Sequence, residues 1–158
     1  MILNFKTKYP WGDYTWFVSK IINWIDNLPT DQKLHSIRED KTNRWKPGMI
    51  IHFTTGSRSK NYKCFAKSQC VSTQRIEIRE MSQICVDNCY TYEESHMFGD
   101  RSEKFLKTFK VIVDSRELSD AEIYLLANND GFETIHDFFR WFNKDFTGKI
   151  IHWTDLKF

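Results

Sequence analysis

The 158-residue sequence predicts a single α+β domain: a small β-barrel or strongly curved sheet, flanked by an N-terminal helix and two C-terminal helices. Three observations predict it. Apolar residues recur at helical spacing near the start and again in the last third, and the middle third holds short strand-like runs. Turn-forming residues (Pro47-Gly48, Gly56–Lys60) separate those runs.

In order along the chain, Ile2–Phe5 reads as a short strand, broken by Pro10, Trp11 and Gly12. From Tyr14 to Leu28 the positions Phe17, Ile21, Trp24, Ile25 and Leu28 fall three and four apart, predicting a helix capped by Asp13 and stopped by Pro29. Trp11 and Trp16 are expected to pack against it. Lys33–Arg38 is extended, and Met49–Thr54, Tyr62–Ala66 and Val71–Ile78 are strands. Residues 85–103 show no steady period and read as a long loop. Phe105–Val113 returns to strand character. Ser119 with Glu122 forms a capping box for a helix running to about Asn129 and closed by Gly131. Thr134 caps a second helix carrying Phe138, Phe139, Trp141 and Phe142. Gly148 ends the following turn, and Lys149–Trp153 is the closing strand.

Net charge is only +2, but it is unevenly placed. Residues 33–79 hold eleven Lys or Arg against Glu39, Asp40 and Glu77, while the rest of the chain carries twelve bases and eighteen acids. A basic middle in an acidic frame fits a surface facing a polyanion. No apolar run approaches the roughly 20 residues of a membrane span, so no membrane partner is expected. The amino terminus has no hydrophobic signal region, so a cytoplasmic protein is expected. Cys64, Cys70, Cys85 and Cys89 are spaced C-x5-C and C-x3-C, unlike zinc knuckles or ribbons even with His96 nearby. Buried thiols are the preferred reading, and no metal or cofactor is expected.

The segment Lys33–Gly48, KLHSIREDKTNRWKPG, is the most informative stretch. It places an ammonium (Lys33), a small hydroxyl (Ser36) and a guanidinium (Arg38) within six residues of one another, a set suited to an anion or a nucleobase. The segment resembles the signature of the ASCH family, small PUA-like β-barrel domains associated with RNA, written Gly-x-Lys-x-x-Thr-x-Arg followed by a Pro-Gly or similar turn. Lys33 and Arg38 fit unchanged, Ser36 stands at the threonine and Asp31 at the glycine. A second block, ANNDGFETIHDFFRWF, is similar to the C-terminal part of small bacterial and phage members.

The resemblance implies a PUA-like barrel and an RNA or nucleobase ligand. It also implies an alternative, because some small members hydrolyse the N4-acyl amide of modified cytidines with a lysine, a threonine and a glutamate. Those roles fall on Lys33, Ser36 and Asp130, the last one methylene shorter than glutamate. Lysine can serve a serine hydroxyl as base if desolvation or a neighbouring cation lowers its pKa. Lys33 and Ser36 lie three apart, so they converge only if Lys33 precedes the strand or sits at a bulge. Binding candidates are Arg38, Arg44, Trp45, Lys46, Arg58, Lys60 and Lys63, the cations for phosphate and Trp45 either to stack a base or to plug the barrel end. His35 has the opposite parity to Ser36 and reads as a core histidine. His136 and His152 have no partner evident in the sequence. A ribonuclease, or a protein-interaction module exposing the aromatic helix, are further alternatives.

Overall fold

The computed structural model describes residues 1–81, 90–94 and 105–158, of which 90–94 and 105–108 are described by their backbone alone. Nine strands and three helices are described. A three-stranded sheet has the order β1 (Ile2–Asn4), β3 (Ile50–Thr55), β4 (Lys63–Gln69), with β1 parallel and β4 antiparallel to β3. A larger antiparallel sheet runs β2 (His35–Arg38), β9 (Phe146–His152), β5 (Ser72–Met81), β7 (Phe105–Val113), β6 (Tyr90–Glu94), and β8 (Arg116–Glu117) pairs with β7. The architecture is mixed α+β with two sheets, and the described strands do not close into a barrel. Helices are α1 (Phe17–Ile25), α2 (Asp120–Asn129) and α3 (Ile135–Trp141).

Period-two alternation sorts the larger sheet. Ile37, Ile150, Ile76, Ile78, Val111 and Val113 share one buried face by register, and Phe109 on that face stacks on Phe139 of α3 at 4.9 Å. The opposite face carries Ser36 and Ile151, both buried. Trp153, just past β9, meets Phe53 of the small sheet edge-on at 4.9 Å. Gly148 lies inside β9 rather than ending a turn, because a Cβ there would come within 2.4 Å of the Arg38 carbonyl oxygen. β2 therefore approaches β9 over a bare backbone.

The first helix is shorter than its apolar spacing predicts. Tyr14 bridges to Lys8 and the Thr15 hydroxyl donates to the Lys6 carbonyl, so the helix begins only after Trp16, which takes a left-handed φ of 54°. Asp13 does not cap it, and it closes at Asp26, ahead of Pro29. Trp16 is 57 % exposed instead of packed, whereas Trp11 stacks on Tyr9 at 4.5 Å. The capping box of α2 forms as its sequence predicts: the Glu122 carboxylate accepts from both the Ser119 N–H and its hydroxyl. Thr134 caps α3 by accepting from the Asp137 N–H at 3.0 Å. Within the expected 85–103 loop, Tyr90–Glu94 is a strand paired with β7; the rest of that stretch lies outside the described residues. Phe138, Phe139 and Phe142 are buried, so α3 spends its phenylalanines on the core and offers no large apolar surface through them. Among the described residues no helix is long and apolar enough to cross a membrane.

Candidate functional site

Lys33 lies in the segment just before β2, not within the strand. Its backbone N–H donates to the Lys20 carbonyl of α1, and the Leu34 N–H donates to the Asn129 carbonyl at the end of α2. These two bonds turn the Lys33 side chain towards the C-terminal end of α2. There its ammonium ion-pairs with the Asp130 carboxylate and donates to the Asp130 carbonyl, at the helix end where a cation is favoured. The nearby Ile37 N–H of β2 helps to hold the Asp130 carboxyl down. Gly131, with φ 88°, lets the chain turn away while Phe17 and the Lys33 stem press close, since a Cβ there would meet them at 3.0 and 3.3 Å. Two residues 97 positions apart are thus brought into one ion pair.

The pair is almost completely removed from water, with side-chain exposures of 1 % and 4 %. Burial pulls the Lys33 ammonium down from 10.5 to about 8 against the opposing pull of Asp130, and Arg38 and Lys20 lower it further. Burial likewise pushes the Asp130 carboxyl up, with Lys33 and Arg38 resisting. The Phe17 ring lies 4.5 Å from the ammonium, and Phe5 lies between the two cations, its centroid 5.8 Å from Lys33 and 5.4 Å from Arg38.

Ser36 is also fully buried, but its hydroxyl has no hydrogen-bond partner among the described residues, so it is bonded to neither Lys33 nor Asp130. Arg38, at the end of β2, donates to the carbonyls of Ile37 and Asn4 at 3.0 and 3.2 Å. The Asn4 side chain in turn accepts from Ser57 of the β3–β4 turn, so Arg38 is tied to the end of the molecule that carries that turn. Arg58, Lys60 and Lys63 occupy the same turn and the start of β4; all are exposed and none forms an ion pair among the described residues.

Arg44, Trp45 and Lys46 lie elsewhere, on the connection from β2 to β3. Trp45 is buried at 4 % exposure, so it fills the core and offers no face for stacking a base. Arg44 is held beside Asp40 at 3.9 Å, and Asp40 accepts from the Arg44 and Trp45 N–H groups. Burial would raise the Asp40 carboxyl, but those two N–H groups and Lys149 hold it below its ordinary value. Lys46 is exposed.

His35 and His152 are cross-strand neighbours whose rings meet at 5.3 Å, both buried, and His152 also contacts the Gln74 amide oxygen. His152 thus has partners that its sequence context does not reveal. Cys70 is buried and Cys64 exposed; Cys85, Cys89 and His96 lie outside the described residues. Sequence reasoning missed Lys20, which is 3 % exposed and ion-paired with Asp31 at 2.8 Å. The signal was present: Lys20 lies three residues after Phe17 and four before Trp24, on the apolar stripe of α1. No protein-family model, curated protein or solved structure matches the chain.

Proposed function

We propose that the protein is an ASCH-type, PUA-like domain that binds RNA or a nucleobase-bearing ligand. One observation carries the reading: Arg58, Lys60 and Lys63 stand exposed and without ion pairs among the described residues, at the end of the molecule where Arg38 is anchored. Cations not already neutralised by carboxylates are the ones that can exchange condensed counterions for phosphates. Lys33 and Asp130 would act from beneath, holding the Arg38 end of β2 against α2.

The test is fluorescence anisotropy with a single-stranded RNA oligonucleotide. Three phosphate contacts predict an affinity loss of about 20-fold between 50 and 200 mM salt. Arg58→Glu with Lys60→Glu should abolish binding. Affinity that does not change with salt would falsify the phosphate-contact reading.

A second reading, hydrolysis of an N4-acylated cytidine, is favoured by the meeting of Lys33 and Asp130 and by the lowered lysine pKa. Lys33 would act as base, Ser36 as nucleophile and Asp130 as the group that holds and returns the proton. It needs Ser36 to swing into reach of Lys33. Incubation with N4-acetylcytidine should release acetate, and Lys33→Ala should stop it. Wild-type protein that yields no acetate above background removes this reading and leaves the first untouched.

A further inference from the structure

Between the loop before α1 and the start of α3 lies a cavity of about 270 Å³ that the preceding reading does not use. Three carboxylates border it, Asp13 from the loop before α1 and Glu133 and Asp137 from the start of α3. Asp13 has neither an ion pair nor a side-chain hydrogen bond among the described residues. Glu133 is 4.0 Å from Lys20, but that ammonium is committed to Asp31 at 2.8 Å. Among the described residues the Asp137 carboxylate accepts only from the Thr134 hydroxyl, at 2.7 Å.

Tyr9 points to a ligand independently of the acids. It is 8 % exposed, and both faces of its ring are covered, by Trp11 at 4.5 Å and by Phe132 at 6.0 Å. Only its edge and hydroxyl can border the cavity, and that hydroxyl has no hydrogen-bond partner among the described residues. Tyr9 is nine-tenths buried as a residue, yet its oxygen stays open to the cavity, so a ligand donor can reach it. Burial and then Asp137, Glu133, Asp130 and Asp13 hold the phenol above its ordinary value, so the negative field of the cavity wall converges on this oxygen.

Tyr14 and Trp16, each 57 % exposed, border this cavity and also a neighbouring groove of about 510 Å³ along α1, floored by Phe17, Val18 and Ile22. The two spaces share that aromatic wall. The chain's own cations lie over these aromatics without satisfying the acids: Lys8 over Tyr14 at 4.8 Å and Arg140 over Trp11 at 4.3 Å. Among the described residues no three acids, histidines or cysteines gather closely enough to hold a metal ion.

We infer that the joined spaces bind a small amphiphilic organic cation, a primary ammonium or guanidinium on an apolar arm. The head lies between Asp13, Asp137, Glu133 and the Tyr9 hydroxyl, donating hydrogen bonds to each that it reaches. The arm lies along Tyr14 and Trp16 into the α1 groove. Donor groups matter because the carboxylates and the Tyr9 hydroxyl that border the cavity accept hydrogen bonds, which a quaternary ammonium cannot donate.

The probe is n-hexylammonium, titrated calorimetrically and by the indole N–H signals in NMR. Saturable millimolar binding is expected, with hexan-1-ol and tetramethylammonium each at least tenfold weaker. Asp13→Asn with Asp137→Asn should weaken hexylammonium at least tenfold. Tyr9→Phe, which keeps the stacked ring, should weaken it several-fold with unchanged circular dichroism. Hexanol or tetramethylammonium binding as well as hexylammonium overturns the inference, as do unaltered affinity in the folded acid variant and the absence of saturable binding.

Discussion

Replacing Lys33 by Met keeps the length of the side chain and removes its charge, leaving the Asp130 carboxyl buried with only Arg38 and the Ile37 N–H to support it. In the wild type Lys33 falls from 10.5 to about 8, so burial, with Arg38 and Lys20, outweighs the attraction of the carboxylate. In Lys33→Met the stranded carboxyl escapes by taking up a proton, which bounds the penalty. From its ordinary value of 3.8 that uptake costs about 4 kcal/mol at pH 7 and about 2 kcal/mol at pH 5. Its folded pKa is raised, so the folded state holds a proton that the unfolded chain has lost, and stability falls as pH rises above 3.8. Asp130→Asn strands the ammonium instead, with a bound of about 5 kcal/mol at pH 7 and about 2 kcal/mol at pH 9. There the folded pKa is depressed, the unfolded chain binds the extra proton, and stability rises with pH towards 10.5. Urea unfolding followed by tryptophan fluorescence should therefore show penalties of opposite pH slope in the two single variants. The double variant should recover most of either single penalty, because it buries no charge and leaves only a neutral amide whose burial costs about 1–3 kcal/mol. Single-variant penalties under about 1 kcal/mol, flat from pH 5 to 9, would mean that water reaches the pair.

Three further outcomes are expected. Gly148→Ala should cost about 1–3 kcal/mol in urea unfolding, because its Cβ would drive into the Arg38 carbonyl and the Phe146 ring; an unchanged midpoint would show that β2 and β9 are further apart. Glu122→Ala should cost about 1 kcal/mol by releasing the Ser119 N–H at the start of α2, read from the thermal midpoint. In native protein a maleimide should modify Cys64 at least tenfold faster than Cys70, whose thiol is buried and pushed up by that burial; peptide mapping distinguishes the two sites, and equal rates would contradict the burial of Cys70.

Elements that depend on local chemistry were legible. The Ser119–Glu122 box fixes the start of α2, and Phe105–Val113 and Asp120–Asn129 fall where their composition places them. Local reading failed where a distant partner decides. Tyr14 obeys helical spacing yet is drawn off by Lys8, and the period of residues 14–28 cannot show that. Gly148 is a turn signal by type, but the near approach of β2 makes it a strand residue. Trp45 left stacking and plugging open in the sequence; its burial in the core removes the first, and without a closed barrel it packs the core instead of plugging a barrel end.

Chain order alone determined that Lys33, Ser36 and Arg38 stand close together and that the cations concentrate in residues 33–79. It could not say which of these charges remain free. Tertiary packing decided that, by seating Lys33 against Asp130 away from water while Arg58, Lys60 and Lys63 stay exposed. The reason is physical: spacing along a chain sets which face a side chain takes, but the energy of a charge depends on its solvent and its neighbours in space, and Asp130 becomes a neighbour of Lys33 only when α2 ends against the start of β2.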